Sequence, residues 1–334
     1  MTARKPINRL MIIVPALLIG LFILWKPIHI NVKAVLLLSQ QFPQIPVKPL
    51  HLVTRSPTTE YVELGTHQDI IADVFAPRQP GPHPALILAM GVRTLEKDRP
   101  AILGLADSLA RLGYVTMWPR SKAMEEQRIK FEDPQAFVES FRYLRDKPQV
   151  LKDRISFVGF SVGSSIATIA AAERSIADQV HALFCFGGYY SLVDYLTALA
   201  TLQITVDGQT VDWQPADYIV ETAHDVLAAE GLSLDIFKTD AIPDDVSERL
   251  KRISPDAHLQ NLKSRTFILH DVGDTAVPWT ESRKLKRALE GKLPISYHIS
   301  AVFEHVQPKR GFDLAMAVEL LKLYRFFYLT LDFI

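Results

Sequence analysis

The chain has a single cysteine among its 334 residues, Cys185, set inside the apolar run His181–Phe186. One thiol excludes an intrachain disulfide and a multi-cysteine metal site, and in such a run it reads as a small buried hydrophobe. Cysteine usage therefore does not fix the compartment. There is no surplus of charge either: 37 Lys and Arg face 37 Asp and Glu, for a net charge of zero. A nucleic-acid-binding surface usually shows a basic surplus, so that partner class is set aside. No internal repeat and no low-complexity tract interrupts the chain, and its length suits one large α/β domain.

Charge is missing altogether from Leu10 to Trp25, a stretch dominated by Leu, Ile, Val and Phe, with Arg4, Lys5 and Arg9 before it and Lys26 after it. At ~1.5 Å per residue this run is short for a bilayer, but Pro27–Ile30 extends it if Lys26 snorkels to the interface. No small-x-small cleavage site follows the apolar core, as a signal peptide would need. Apolarity around the full circumference, flanked by cations, is unlike a buried helix of a globular domain. The expectation is a single-pass membrane anchor over residues 1–30. Its orientation leans extracytoplasmic, although Lys26, Lys33 and Lys48 nearly balance the upstream cations. Residues 31–58 then read as an amphipathic piece and a linker punctuated by Pro43, Pro46 and Pro49, with the folded domain over 59–334.

Within that domain the patterns alternate. Thr59–His67 and Asp69–Ala76 read as an antiparallel strand pair, followed by a proline-rich loop. Ala85–Met90, Tyr114–Trp118, Ile155–Phe160, His181–Phe186, Thr266–His270 and Ile295–Ser300 read as strands. Helical spacing separates them at Pro100–Leu112, Pro134–Asp146 and Ser164–Arg174, and Gly311–Leu331 closes the chain. Strands alternating with helices predict a parallel sheet covered on both faces. Between Tyr189 and Leu262 no central strand is found. A hairpin on the Asp207-Gly208 turn, flanked by helical patterns at Leu192–Leu202 and Asp217–Ala229, predicts an insertion that sits over the sheet as a lid.

The most informative stretch is Gly159-Phe160-Ser161-Val162-Gly163, where an apolar strand pattern gives way to a small-residue helix pattern. A serine on so tight a turn has its hydroxyl pushed out above the sheet. Side chains at the flanking glycines would collide with the neighbouring strand and helix. The Val162 N–H, at a helix N-terminus, points to where an oxyanion would form. The plainer reading of Ser161 is a helix N-cap. A nucleophilic serine needs a base, and the base needs an acid to orient it. Asp274 lies in the loop beyond the strand ending at His270, with Asp271 as the competing acid at the strand terminus. His305 follows the last strand, whereas His298 lies inside it.

In this order, serine then acid then histidine, the residues resemble the α/β-hydrolase superfamily, as do Ile253-Ser254-Pro255 through Leu262 and His270 to Pro278, which look like the approach to the acid loop of dienelactone-hydrolase-like and peptidase-like members. The resemblance spans Thr59 to the C-terminus. It implies an α/β-hydrolase fold with Ser161 as nucleophile, Asp274 as acid and His305 as base. The N–H groups of Val162 and Val92 would be the oxyanion donors. Met90 stands where many members have a histidine before Gly91. It further implies a serine esterase, with amide or thioester as variants, acting on a small-molecule or lipid-like acyl substrate without metal or organic cofactor. A non-catalytic tethered scaffold and an acyltransferase on the same three residues stay open as alternatives. Arg93, Lys97, Asp98, Arg120 and Lys122 are peripheral substrate candidates. Tyr189, Tyr190, Tyr195 and Trp213 line either an acyl pocket or the insertion's own small core.

Overall fold

The computed structural model describes residues 26–41, 47–64, 69–91, 98–125, 133–239, 242–305, 307–308 and 314–334. A first helix, α1, covers residues 26–41. It is followed by α2 (Pro49–Val53), β1 (Thr58–Leu64), β2 (Ile70–Ala76), β3 (His83–Ala89), α3 (Arg99–Arg111), β4 (Val115–Arg120), α4 (Lys122–Glu125) and α5 (Asp133–Arg145). The elbow region comprises β5 (Val150–Phe160), α6 (Val162–Ala171) and β6 (Val180–Phe186). The insertion holds α7 (Leu192–Thr201), β7 (Gln203–Val206), β8 (Gln209–Asp212), α8 (Asp217–Ala229) and α9 (Asp244–Lys251). The chain ends with β9 (Arg265–Asp271), α10 (Trp279–Leu289), β10 (Ile295–Ser300), the short pair β11 (Phe303–Glu304) and β12 (Gln307–Pro308), and α11 (Leu314–Phe333).

Eight strands form one sheet in the order β1-β2-β4-β3-β5-β6-β9-β10. The β1/β2 and β2/β4 pairs are antiparallel and the rest are parallel. The parallel part reads as continuous apolar runs because both of its faces are covered. On one face α5 and α6 pack Phe137, Phe141 and Ile166 against Ile87 and Phe157. On the other, α1, α3 and α11 pack against Leu86, Leu88 and Phe184. Cys185 is buried on the α5/α6 face, beside Thr168 of α6, and its thiol is pushed up to about 11, chiefly by that burial. The β7/β8 hairpin turns at Asp207 and Gly208, both at positive φ (50° and 82°), the conformation a two-residue hairpin loop demands.

The expectation of an N-terminal membrane anchor, with a membrane partner and an extracytoplasmic location, is corrected here. Among the described residues no helix is long and apolar enough to cross a membrane. The run Leu10–Trp25 lies outside the described residues, but its expected extension, Pro27–Ile30, lies in the first part of α1. That helix is amphipathic: Ile30, Ala34 and Leu37 are buried at helical spacing, while Ile28, Val32 and Val35 face outward. Lys26 pairs with Asp332 of α11 (2.7 Å), and Tyr324 donates to Asn31. The C-terminal carbonyls of α1, Ser39 O and Gln40 O, accept from Lys48 Nζ (2.8 and 3.2 Å), a cation placed where the helix dipole favours it.

A chain starting at Leu50 would lose α1 and bare the apolar face of Leu86 and Leu88. Burying one large aliphatic side chain contributes about 1.5–3 kcal/mol, so Tm should fall on the order of 10 °C. Thermal unfolding of the truncated chain checks this, and an unchanged Tm would show that α1 is dispensable.

Candidate functional site

Ser161 sits between β5 and α6 with φ 54° and ψ −137°, a sparsely populated conformation for a residue with a side chain. Such strain costs of order 1–3 kcal/mol and persists only where the surroundings hold it. Here the Ser161 N–H donates to Phe186 O (2.8 Å) and the Ser164 N–H to Ser161 O (2.9 Å). The flanking glycines answer to close approach. A Cβ on Gly159 would lie under 3.0 Å from Ser164 Cα in α6. One on Gly163 would lie under 3.0 Å from the carbonyl oxygens of Ala89 and Met90 at the end of β3. The helix therefore starts hard against two strands, and its N-terminus is aimed at the elbow. Gly91 is in the same place: a Cβ there would be 3.5 Å from Ser161 Cβ and 3.6 Å from its Oγ. Of the expected oxyanion donors, Val162 is the first residue of α6, and Val92 lies outside the described residues, as do Arg93 and Lys97.

The acid and the histidine are brought together. His305, itself at φ 56°, places Nδ1 2.7 Å from Asp274 Oδ2. A carboxylate only accepts, so Nδ1 carries the hydrogen, and in the neutral ring that leaves the lone pair on Nε2. Among the described residues the His305 ring is hydrogen-bonded to Asp274 and not to Ser161 Oγ. Asp274 is buried and fully engaged. Oδ1 accepts the N–H groups of Ala276 (2.7 Å) and Val277 (2.9 Å), and Oδ2 also faces His270 Nε2 (3.2 Å). Burial raises its carboxyl, but hydrogen bonds and charge from His270 and His305 outweigh burial and hold it well below the usual carboxylate range.

That depression gives a stability test. The folded value lies below the unfolded value near ~3.9, so the contribution of Asp274 is present above about pH 4 and is lost as pH falls toward the folded value. The stability gap between wild type and Asp274→Asn should therefore shrink below about pH 4 in denaturant titrations. A gap that widens there would contradict this reading.

Asp271, the competing acid, is occupied otherwise. Its Oδ1 accepts Gly273 N–H and its Oδ2 accepts Phe303 N–H, both at 2.8 Å, so it ties the acid loop to the histidine loop. His298 stays within β10, its ring beside Phe326, and burial lowers its pKa. Arg120 is buried against Asp73 (2.8 Å) and over the Trp118 ring, which removes it as a substrate contact.

Three features were not legible as functional from the pattern alone. His270 is fully buried and donates from Nε2 to Val277 O (3.0 Å) as well as to the shared carboxylate. Its only signal was the His-x-x-x-Asp spacing to Asp274. The insertion also grips the acid loop: Trp213 Nε1 donates to Asp274 O (3.0 Å), Tyr195 OH to Ala276 O (2.8 Å) and Ala216 N–H to Thr275 O (2.9 Å). Tyr189 OH donates to Ile253 O (2.8 Å), and Tyr189, Tyr195 and Trp213 are all buried in the core on the α5/α6 side of the sheet. Finally, buried Glu281 accepts the N–H groups of Tyr190 and Ser191 (both 3.0 Å) and pairs with Lys284, fixing where the insertion leaves β6. Burial pushes its carboxyl up.

No family model matches the chain. Acyl-coenzyme A thioesterase 1 of Rattus norvegicus is 31% identical over 103 residues, which span 30% of this chain and 23% of that protein, so under a quarter of the relative's length is matched. Among solved structures, a 2,6-dihydroxy-pseudo-oxynicotine hydrolase aligns with a TM-score of 0.54 at 19% identity, over 81% of this chain and 68% of its own. Esterase B from Lactobacillus rhamnosis aligns with a TM-score of 0.53 at 12% identity, over 85% and 91%. An acylaminoacyl peptidase from Pyrococcus horikoshii aligns with a TM-score of 0.54 at 13% identity, over 84% of this chain and 41% of that one. The sheet order, the crossing helices and these likenesses together give the chain an α/β-hydrolase fold.

Proposed function

We propose that the chain is a serine hydrolase of the carboxylesterase type, cleaving a carboxylic ester through an acyl-enzyme on Ser161. The observation that carries this reading is the 2.7 Å contact between His305 Nδ1 and Asp274 Oδ2, in a chain whose Ser161 is held at positive φ. In the first step Ser161 Oγ bonds to the substrate carbonyl carbon and its proton passes to His305 Nε2. The alkoxide then leaves and takes that proton. In the second step His305 accepts a proton from water, the hydroxide attacks the acyl carbon, and the acid is released as Ser161 is reprotonated. Asp274 holds the imidazole in its Nδ1–H tautomer and stabilises the imidazolium. The N–H groups of Val162 and Val92 would receive the oxyanion. The short match to the rat thioesterase keeps thioesters among the candidate substrates, and the solved neighbours keep esters and peptides.

The insertion over residues 189–262 would act less as a swinging lid than as a brace, because it hydrogen-bonds the acid loop at three points. Rapid mixing with p-nitrophenyl acetate tests the acyl-enzyme directly. The expected result is a burst of p-nitrophenol equal to the enzyme concentration, with no change on adding metal chelators. Turnover that persists in Ser161→Ala would overturn the reading.

A further inference from the structure

A cavity of about 130 Å³ lies on the α1/α11 face of the sheet, outside the polar site described above. Its wall follows alternate residues of β5, Ser156, Val158 and Phe160, which is roughly 13 Å of strand at ~3.3 Å per residue. Its upper end is built from the neighbours of the proposed catalytic groups. Phe160 directly precedes Ser161. Phe186 is paired with Phe160 across β5 and β6, and its carbonyl holds the Ser161 N–H. Phe303 stands two residues before His305 and packs edge-on against Phe186, with ring centroids 4.8 Å apart. Opposite them, Leu37 of α1 and Leu331 of α11 close the cavity from the helix side.

Val158 shows why this space is more than loose packing. It occupies the middle of the sheet, in register between Leu88 of β3 and Phe184 of β6, yet it is only half buried while both partners are buried. In β6 the small residue Ala182 leaves room that any larger aliphatic side chain would fill. Among the described residues no charged side chain lines the cavity; its polar side chains are Gln41, Ser156, whose hydroxyl has no partner, and Thr330, whose hydroxyl is turned to Phe326 O (3.0 Å). A wall so largely apolar and without charge suits hydrocarbon better than a carboxylate, a sugar or a nucleotide. The insertion's Tyr189, Tyr195 and Trp213 are buried and spend their polar groups on backbone carbonyls.

We infer that this cavity is the acyl-chain site of the enzyme: the substrate carbonyl sits at Ser161 and a linear alkyl chain passes the Phe160, Phe186 and Phe303 rings to run down β5. The inference rests on the hydrolase reading given above and names its substrate class. A dry cavity of roughly 150 Å³ takes a benzene ring, so the space here suits about six carbons.

The test compares p-nitrophenyl acetate, hexanoate and decanoate on wild type, Ala182→Leu and Leu331→Phe, with Tm as the folding control. Each buried methylene is worth roughly a fourfold gain, so wild type should prefer hexanoate to acetate by on the order of 100-fold in kcat/KM. Either substitution should lower kcat/KM for hexanoate about tenfold or more while acetate stays within about twofold, because a filled cavity excludes the chain and leaves the polar site alone. A wild-type profile with no preference for hexanoate, or folded variants with an unchanged profile, would overturn the inference. Absence of acetate hydrolysis in wild type would instead strike the hydrolase reading itself.

Discussion

Ser161→Ala is expected to lower turnover by about 10⁴-fold or more, and His305→Ala by a similar factor. Nothing else at the elbow can take over, because the backbone strain at Ser161 presents one side chain only, above the Phe186 carbonyl that pins its N–H. Asp274→Asn should come close behind, at roughly 10³–10⁴-fold, for a geometric reason. The Ala276 and Val277 N–H groups require an acceptor at the Oδ1 position. The asparagine amide nitrogen must therefore occupy the Oδ2 position, facing His305 Nδ1 and the His270 Nε2 hydrogen. Donor would meet donor at His270, and His305 would be driven to the wrong tautomer. The three losses should not add, so the double variant of Ser161 and His305 should be no slower than either single one. Steady-state kinetics on a small activated ester, with Tm measured alongside, reads all four.

Gly163→Ala should be a severely damaging single-methyl change. The added Cβ would press on the carbonyl oxygens of Ala89 and Met90, which are backbone atoms at the end of a central strand and cannot step aside as a side chain could. Overpacking of this kind costs about 1–3 kcal/mol, a loss of several degrees in Tm. Activity should suffer more than stability. The displaced carbonyls lead directly into Gly91, which backs onto the Ser161 side chain, and the other side of the clash is the N-terminal turn of α6. Both proposed oxyanion donors would shift together, and losing one such donor costs on the order of 10²–10³ in kcat. Gly104→Ala is the matched control: it lies in α3 with nothing within 4 Å of an added Cβ, so it should be neutral or slightly stabilising. Equal behaviour of the two variants would refute the packing account of the elbow.

Much of this architecture was legible in the residues because the two periodicities rarely compete here. Ile295–Ser300 and Asp217–Ala229 form with the bounds their patterns set, and the Asp-Gly hairpin turns where its dipeptide requires. β5 begins earlier than its apolar run suggests. Lys152, Asp153 and Arg154 are exposed at its lower end, and charge hides a strand from a hydrophobicity reading. α1 was divided between an anchor and a linker for a different reason. Its buried stripe is narrow, and only the tertiary contact with Leu86 and Leu88 shows that it belongs to the sheet. At the candidate site, serine, acid and histidine are proposed from their order, with Asp274 preferred to Asp271 for its place in the loop, whereas the hydrogen bonds that occupy Asp271 elsewhere are encoded by no pattern. His270 illustrates the same limit. A histidine inside an apolar strand looks like packing until its ring is seen against the carboxylate it shares.

The most direct test of the central claim is covalent capture of the nucleophile. Wild-type protein treated with a fluorophosphonate and digested for mass spectrometry should carry one phosphonyl adduct, on the peptide containing Ser161, and His305→Ala should label far more slowly. No adduct on folded wild-type protein, or an adduct on a serine other than Ser161, would contradict the account.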